Sequence, residues 1–162
     1  MEGRRSGQEV DEFEDIMLRQ ESRLLRAALA VLGNRAEAED VVQEVFVRLW
    51  LKAPQFDSEQ HQAAWLMKVT VNLCRSRLRL HWWSRTVSLL DDYPAADDEQ
   101  QQLLEQIAKL PARYRLVLHL HYYEGYSGPE IAQITGQSES TVRQQLTRAR
   151  RLLKDVLEGD LP

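Results

Sequence analysis

Cys74 is the only cysteine among the 162 residues, so no disulfide can form within the chain, and it reads as a small core residue. No apolar run approaches the roughly 20 residues that span a bilayer, which excludes a membrane-spanning helix. The opening MEGRRSGQEVDEFED has arginines but no hydrophobic stretch behind them, so it does not read as a secretory signal. About the first ten residues are expected to be disordered. Glycine-rich phosphate loops are missing, as is a nucleophile with an evident base, which leaves catalysis without support. His119 and His121 stand two apart and would point to opposite sides of a helix, while Cys74 and His81 are two turns apart with no further ligand, so neither pair makes a metal site. No cofactor is expected. There is no internal repeat and no convincing strand, and the expected compartment is the cytoplasm.

Net positive charge is also lacking. The formal charge is −4, which argues against a general nucleic-acid coat and confines any DNA binding to local basic patches. Two such patches exist, Arg75, Arg77, Arg79 and Arg85, and then Arg143 to Lys154, with Asp91, Asp92, Asp97, Asp98 and Glu99 between them. Hydrophobic residues make up 43% of the chain, enough for compact cores.

The stretch SGPEIAQITGQSESTVRQQLTRARRLLKDVL, from Ser127 to Leu157, carries the most information. Ser127 can cap a first helix, Pro129 is tolerated in its first turn, and Ile131, Ala132 and Ile134 give it an apolar side. Gly136 permits a turn and Ser138 caps a second helix. Ala132, Gly136 and Val142 fit a helix-turn-helix, supplying a small residue for close approach, a positive-φ turn and a branched plug. Winding the second helix puts Val142, Leu146, Ala149, Leu153 and Val156 on one arc. Ser140, Gln144, Thr147 and Arg151 occupy the opposite arc, flanked by Arg143, Arg148 and Lys154. Amide, hydroxyl and guanidinium groups so mixed can touch base edges and phosphates; the plainer reading is a solvated face.

Upstream, Phe13, Ile16, Met17, Leu24, Leu25, Ala28 and Leu32 predict a helix from about Asp11 to Leu32, stopped by Gly33. Asn34 and Glu37 make a capping-box-like start for a second, ending at Ala53-Pro54. Its core arc is Ala38, Val41, Val42, Val45, Phe46 and Leu49. The other side sets Val47 and Leu51 among Glu37, Asp40 and Glu44, either incidental surface apolars or a partner-docking face. A third helix is expected from Asp57 or Ser58 to Trp83, with Leu66, Val69, Leu73 and Leu80 as core and Met67, Val71, Cys74 and Leu78 as a second apolar strip. Lys68, Asn72, Arg75 and Arg79 form a polar stripe bordered by Trp65 and Trp82. Basic groups interleaved with aromatics suit single-stranded DNA; alternatively the tryptophans are core and the arginines solvated. The fold class expected is all-α, with two small helical domains at 11–83 and 99–158 joined by a linker at 84–98 that contains Tyr93-Pro94. A helix with Leu103, Leu104, Ile107 and Leu110, and another opened by Pro111 with Leu116, Val117 and Leu120, precede the helix-turn-helix.

Three segments in this order resemble the extracytoplasmic-function sigma factors, two-domain initiation subunits of bacterial RNA polymerase. AEDVVQEVFVRLW (Ala38 to Trp50) is similar to the family's polymerase-docking helix, and AWLMKVTVNLCRSRLR (Ala64 to Arg79) to its −10 recognition and melting helix. LPARYRLVLHLHYYEGYSGPEIAQITGQSESTVRQQLTRARRLL is similar to its −35 domain. The resemblance implies that Asp40, Gln43, Glu44, Val47, Arg48 and Leu51 dock core RNA polymerase. It implies that Trp65, Lys68, Asn72, Arg75, Ser76 and Arg79 serve the −10 non-template strand, and that Ser140, Thr141, Arg143, Gln144, Thr147, Arg148 and Arg151 serve the −35 duplex. An anti-sigma partner is implied too, with all catalysis left to polymerase. Ser76 stands where an aspartate is frequent, and Gln145 where a basic residue is usual; both bear on which promoter is read. Two alternatives are a sigma-like decoy that binds an anti-sigma protein without touching DNA, and a stand-alone helix-turn-helix regulator.

Overall fold

The structure, a computed structural model, describes residues 5–81 and 98–158. Seven α-helices and one π-helical turn account for nearly all of them: α1 Gly7–Leu32, α2 Arg35–Lys52, α3 Glu59–His81, α4 Asp98–Ala108, α5 Ala112–Leu118, the π turn His119–Tyr123, α6 Gly128–Thr135 and α7 Glu139–Leu157. Among the described residues there is no strand. Trp82, Trp83, Arg85, the acids Asp91 to Asp97 with Tyr93-Pro94, and the side chains of Leu80, His81, Glu99, Leu103 and Leu104 fall outside the described residues.

Helix boundaries follow local chemistry. The first helix begins at Gly7, four residues before the expected Asp11, because Ser6 and Glu9 form a capping box: Ser6 Oγ accepts from the Glu9 N–H at 3.3 Å and Glu9 Oε2 accepts from the Ser6 N–H at 2.9 Å. Residues 7–10 are therefore helical, contrary to the expectation of disorder there. Gly33 ends the helix at φ 64°, its N–H bonded to the Leu29 carbonyl. Asn34 caps α2 through the Glu37 N–H at 3.0 Å. Ala53 closes α2 at φ 42°, a left-handed conformation unusual for alanine. Ser58 starts α3, its hydroxyl accepting from the His61 N–H at 3.0 Å.

Helices α1, α2 and α3 pack mutually around Leu24, Ala28, Leu32, Val41, Val45, Leu66 and Met67, all buried. Both apolar strips of α3 are used. Leu66, Met67, Val71, Leu73 and Cys74 are buried and Val69 and Leu78 half-buried, because α3 touches α1 and α2 on one side and α6 on another. Thr70, buried on the same helix, satisfies its hydroxyl by donating to the Leu66 carbonyl at 2.8 Å. In the second half α5 and α6 pack on α7 around Leu120, Ile131, Ile134, Val142, Leu146 and Ala149. Leu153 and Val156, expected on the same arc, are half-buried near the end of α7.

The two halves do not stand apart. Contacts of α1 with α5 and of α3 with α6 merge their cores into one continuous cluster. The helix expected after Pro111 also departs from regularity: at His119 it widens into a π turn, closed by the Glu124 N–H on the His119 carbonyl at 3.0 Å.

Gly136 holds the helix-turn-helix corner at φ 67°, and a Cβ built there would meet nothing within 4 Å. The penalty for a side chain is therefore backbone strain alone. Gly136→Ala is expected to cost about 1–2 kcal/mol, read as a lower urea midpoint at unchanged slope.

Candidate functional site

The polar arc of α7 is positioned by its own cap and by the turn before it. Ser127 and Glu130 form a capping box at the start of α6, with Pro129 in the first turn. Gly136 reverses the chain, and Ser138 Oγ accepts from the Thr141 N–H at 3.2 Å to start α7. Ser138 also donates to Thr141 Oγ1 at 2.8 Å, so half-buried Thr141 belongs to the cap more than to the open arc. Ser140, Arg143, Gln144, Thr147, Arg148 and Arg151 are all exposed. Of these only Ser140 makes a side-chain hydrogen bond among the described residues, with Ser138 at 3.2 Å. Unpaired arginines interleaved with an amide and a hydroxyl on a convex helix suit a major groove. Gln145 lies off this arc, half-buried, lining a cavity of about 90 Å³ between the halves together with Arg75, Leu78 and Gln137.

On α3, Lys68, Asn72, Ser76 and Arg79 are exposed along one side. Ser76 donates to the Asn72 carbonyl at 3.1 Å, an ordinary back-bond of a helical serine. Trp65 is half-buried and packs edge-on against Phe56, ring centroids 5.7 Å apart. Its indole is thus partly structural. Arg75 leaves the stripe: half-buried, it donates to the Thr135 carbonyl at the end of α6. Burial and then the charge of Arg79 lower its pKa.

The six α2 residues share one face, in two rows. Gln43, Val47 and Leu51 lie toward α1, with Val47 54% and Leu51 64% exposed, far more than a core residue tolerates. Asp40, Glu44 and Arg48 lie toward α3; Glu44 pairs with Arg48 at 3.1 Å, and Asp40 is 4.0 Å from Arg77. The first row borders an open groove of about 950 Å³ between α1 and α2, floored by Phe13, Met17, Phe46 and Trp50 and rimmed by Glu14, Glu21 and Glu39. Phe13 meets Trp50 edge-on at 4.9 Å. The α1 wall of this groove was missed because Phe13 and Met17 were read only as part of a helical apolar pattern; Val10, Phe13 and Met17 at steps of three and four, one helix away from exposed Val47, were the available signal.

Sequence reasoning also missed the arginines of the interface. Arg115, 5% exposed, donates from Nε to the Ala30 carbonyl and from Nη2 to the Val31 carbonyl, both at 2.8 Å, and from Nη1 to the Leu110 carbonyl at 2.5 Å. Burial lowers its pKa to about 10. Arg23 reaches Glu124 at 3.3 Å, the Tyr126 hydroxyl at 3.1 Å and the Ala63 carbonyl at 2.7 Å. Burial alone would raise the Glu124 pKa, but His119, 3.5 Å away, and the Arg23 guanidinium outweigh it and the net shift is downward. His119 stacks on Tyr123 and His121 pairs with the Tyr126 carbonyl at 2.8 Å, so both histidines serve the fold.

Known proteins align with this arrangement. The family signature described as sigma-70 region 2 matches residues 17–84, and that described as sigma-70, region 4 matches residues 100–153. The sigma factor SigL of Mycobacterium tuberculosis is 33% identical over 147 residues, covering 83% of this chain and 82% of its own. The probable sigma factor RfaY of Xanthomonas campestris is 32% identical over 145 residues, but this chain spans only 36% of its length. Among solved structures, RpoE of Bartonella quintana, in complex with the anti-sigma factor NepR, superposes with a TM-score of 0.73 over 93% of this chain and 99% of its own at 23% identity, a likeness of fold alone. CnrH in complex with the cytosolic domain of CnrY gives 0.67 over 92% of this chain and 89% of its own at 27% identity. The chain belongs to the extracytoplasmic-function sigma factors, the promoter-recognition subunits of bacterial RNA polymerase within the sigma-70 family.

Cys74 takes no part in any of these surfaces. It is 1% exposed, and burial pushes its thiol up to about 12, with Glu37 adding to the rise and Arg77 opposing it. A thiol so placed is neither a nucleophile nor a redox sensor. Iodoacetamide at neutral pH should leave native protein unmodified over hours and label it stoichiometrically in denaturant, as intact mass reads directly.

Proposed function

We propose that the exposed arc of α7 reads the −35 duplex, that the α3 stripe captures the unpaired −10 non-template strand, and that the α2 face with its groove docks core polymerase. The observation that carries the reading is the set of exposed side chains Arg143, Gln144, Thr147, Arg148 and Arg151, unpaired among the described residues, on one side of a capped second helix. In a chain of net charge −4, that concentration of free cationic and amide groups suits a local duplex site. Arginines there hold phosphates and set register, while Gln144 and Thr147 meet base edges. Lys68, Asn72 and Arg79 then hold a strand whose bases have been unstacked, an opening that costs a few kcal/mol per base. Polymerase performs the catalysis, the chain works in the cytoplasm, and the same exposed faces serve an anti-sigma partner. Promoter-dependent transcripts from purified chain plus core polymerase are the direct test, and their absence would favour the decoy.

Arg148→Ala is expected to weaken binding to specific and scrambled −35 duplexes alike and to lower the salt slope of log affinity by about one, since one fewer counterion is released. Gln144→Ala should cost about 1–3 kcal/mol on the preferred duplex only, with the slope unchanged. Salt titrations on both duplexes separate the two roles.

Glu44→Arg combined with Asp40→Arg reverses charge on an exposed face. Helicity should be retained while copurification with core polymerase falls; undiminished copurification would remove this face from the interface.

A further inference from the structure

The residue just before α1 reaches the far end of α2. Ser6 and Glu9 close a capping box that fixes how the chain enters α1, and this aims Arg5, one position outside the cap. The Arg5 guanidinium lies 4.0 Å over the Trp50 ring and donates to the Trp50 carbonyl. That carbonyl has no donor within its own helix. The residue four positions on is Pro54, which carries no N–H, and Ala53, left-handed at φ 42°, gives its N–H to the Leu49 carbonyl. Lys52 in the same turn is exposed and makes no hydrogen bond among the described residues. An aromatic face beside an orphan carbonyl, at the negative end of a helix, is a seat for a planar cation.

Trp50 serves two surfaces at once. It also lines the groove between α1 and α2, beside Phe13, which meets its ring edge-on at 4.9 Å, and beside the exposed Val47 and Leu51. Arg35 on the groove rim is paired with Glu39 at 2.9 Å, which leaves Glu14 and Glu21 exposed there without partners among the described residues. An apolar groove with free carboxylates on its rim suits a partner segment that mixes apolar and cationic side chains. From this we infer that Arg5 is a stand-in for a partner's cation: it fills the Trp50 seat in the free chain, and core polymerase must displace it to use that end of the groove. The seat stands on the contacts alone; the competition rests on the docking reading given above. The ring face under Arg5 holds one guanidinium at a time, so Arg5 and a partner's cation exclude each other. Polymerase affinity is then reduced by the fraction of chains whose seat is free.

The test titrates the full chain against core polymerase by biolayer interferometry. Arg5→Gln should bind roughly threefold to tenfold tighter than the parent, the gain expected when the seat is free in about a third to a tenth of the population. Arg5→Lys should fall between the two, because an ammonium lacks the flat face that stacks on an indole. Ser6→Ala with Glu9→Gln keeps Arg5 but releases the box that aims it, and should tighten binding in the same sense. In NMR spectra of the free parent the Arg5 side-chain protons should be shifted upfield by the indole ring current, and they should return to solvated positions in the Ser6 and Glu9 double variant. Solvated positions in the parent overturn the seat. Equal binding by Arg5→Gln overturns the competition, and weaker binding would overturn it by making Arg5 part of the docking surface. Failure of the docking reading shows separately: Glu44→Arg with Asp40→Arg would leave binding undiminished, which removes the competition while upfield Arg5 resonances still mark the seat as filled.

Discussion

The contact on which this architecture turns is the Arg115 guanidinium seated on the end of α1. A buried cation is tolerated only when its donors are satisfied, and here three carbonyls, Ala30, Val31 and Leu110, accept from it. Those carbonyls belong to different elements, so a single side chain fixes the end of α1, the approach to α5 and the seam between the halves. Arg115 is only 5% exposed, which keeps water from competing for the same donors.

Around that seam the charged groups sort by exposure. Arginines that face the interface each meet a carbonyl, a carboxylate or an aromatic face, although Arg26 Nε is left without a hydrogen bond, whereas those on the outer arc of α7 have no such partner among the described residues. Arg150 marks the boundary: it donates to the Tyr122 hydroxyl and lies 5.6 Å from that ring, though it stands next to free Arg151. A modest acidic net charge is thus compatible with a locally cationic outer surface, because the structure withdraws part of its positive charge into fixed internal pairs and leaves the rest facing solvent.

How much of this could be read from the residues depended on the range of the interaction. Short-range chemistry was legible: the Gly33 and Gly136 stops, the Asn34, Ser127 and Ser138 caps and the apolar arcs of α2 and α7 all depend on neighbours within about one or two turns. So was the outer arc of α7, since a free surface needs no partner to define it. The Ser6 cap went unseen because nothing apolar follows it within a turn. Contacts across roughly 40 to 100 residues, such as Arg75 to Thr135 and Arg23 to Glu124, leave no periodic trace. An arginine bound for a distant carbonyl looks, in sequence, like an arginine bound for water.

The π turn at His119–Tyr123 gives the chain a different kind of constraint. Its hydrogen-bonded ring holds one residue more than a regular helical ring, so removing any one residue there would let α5 continue as ordinary helix. Every element downstream would then be rotated by about 100° and drawn in by about 1.5 Å, the screw step of a single helical residue. Side-chain identity in that stretch can drift while its partners are kept; its length cannot. The aim of α7 is thus stored as a residue count, a form of information that insertions and deletions erase and point substitutions leave intact.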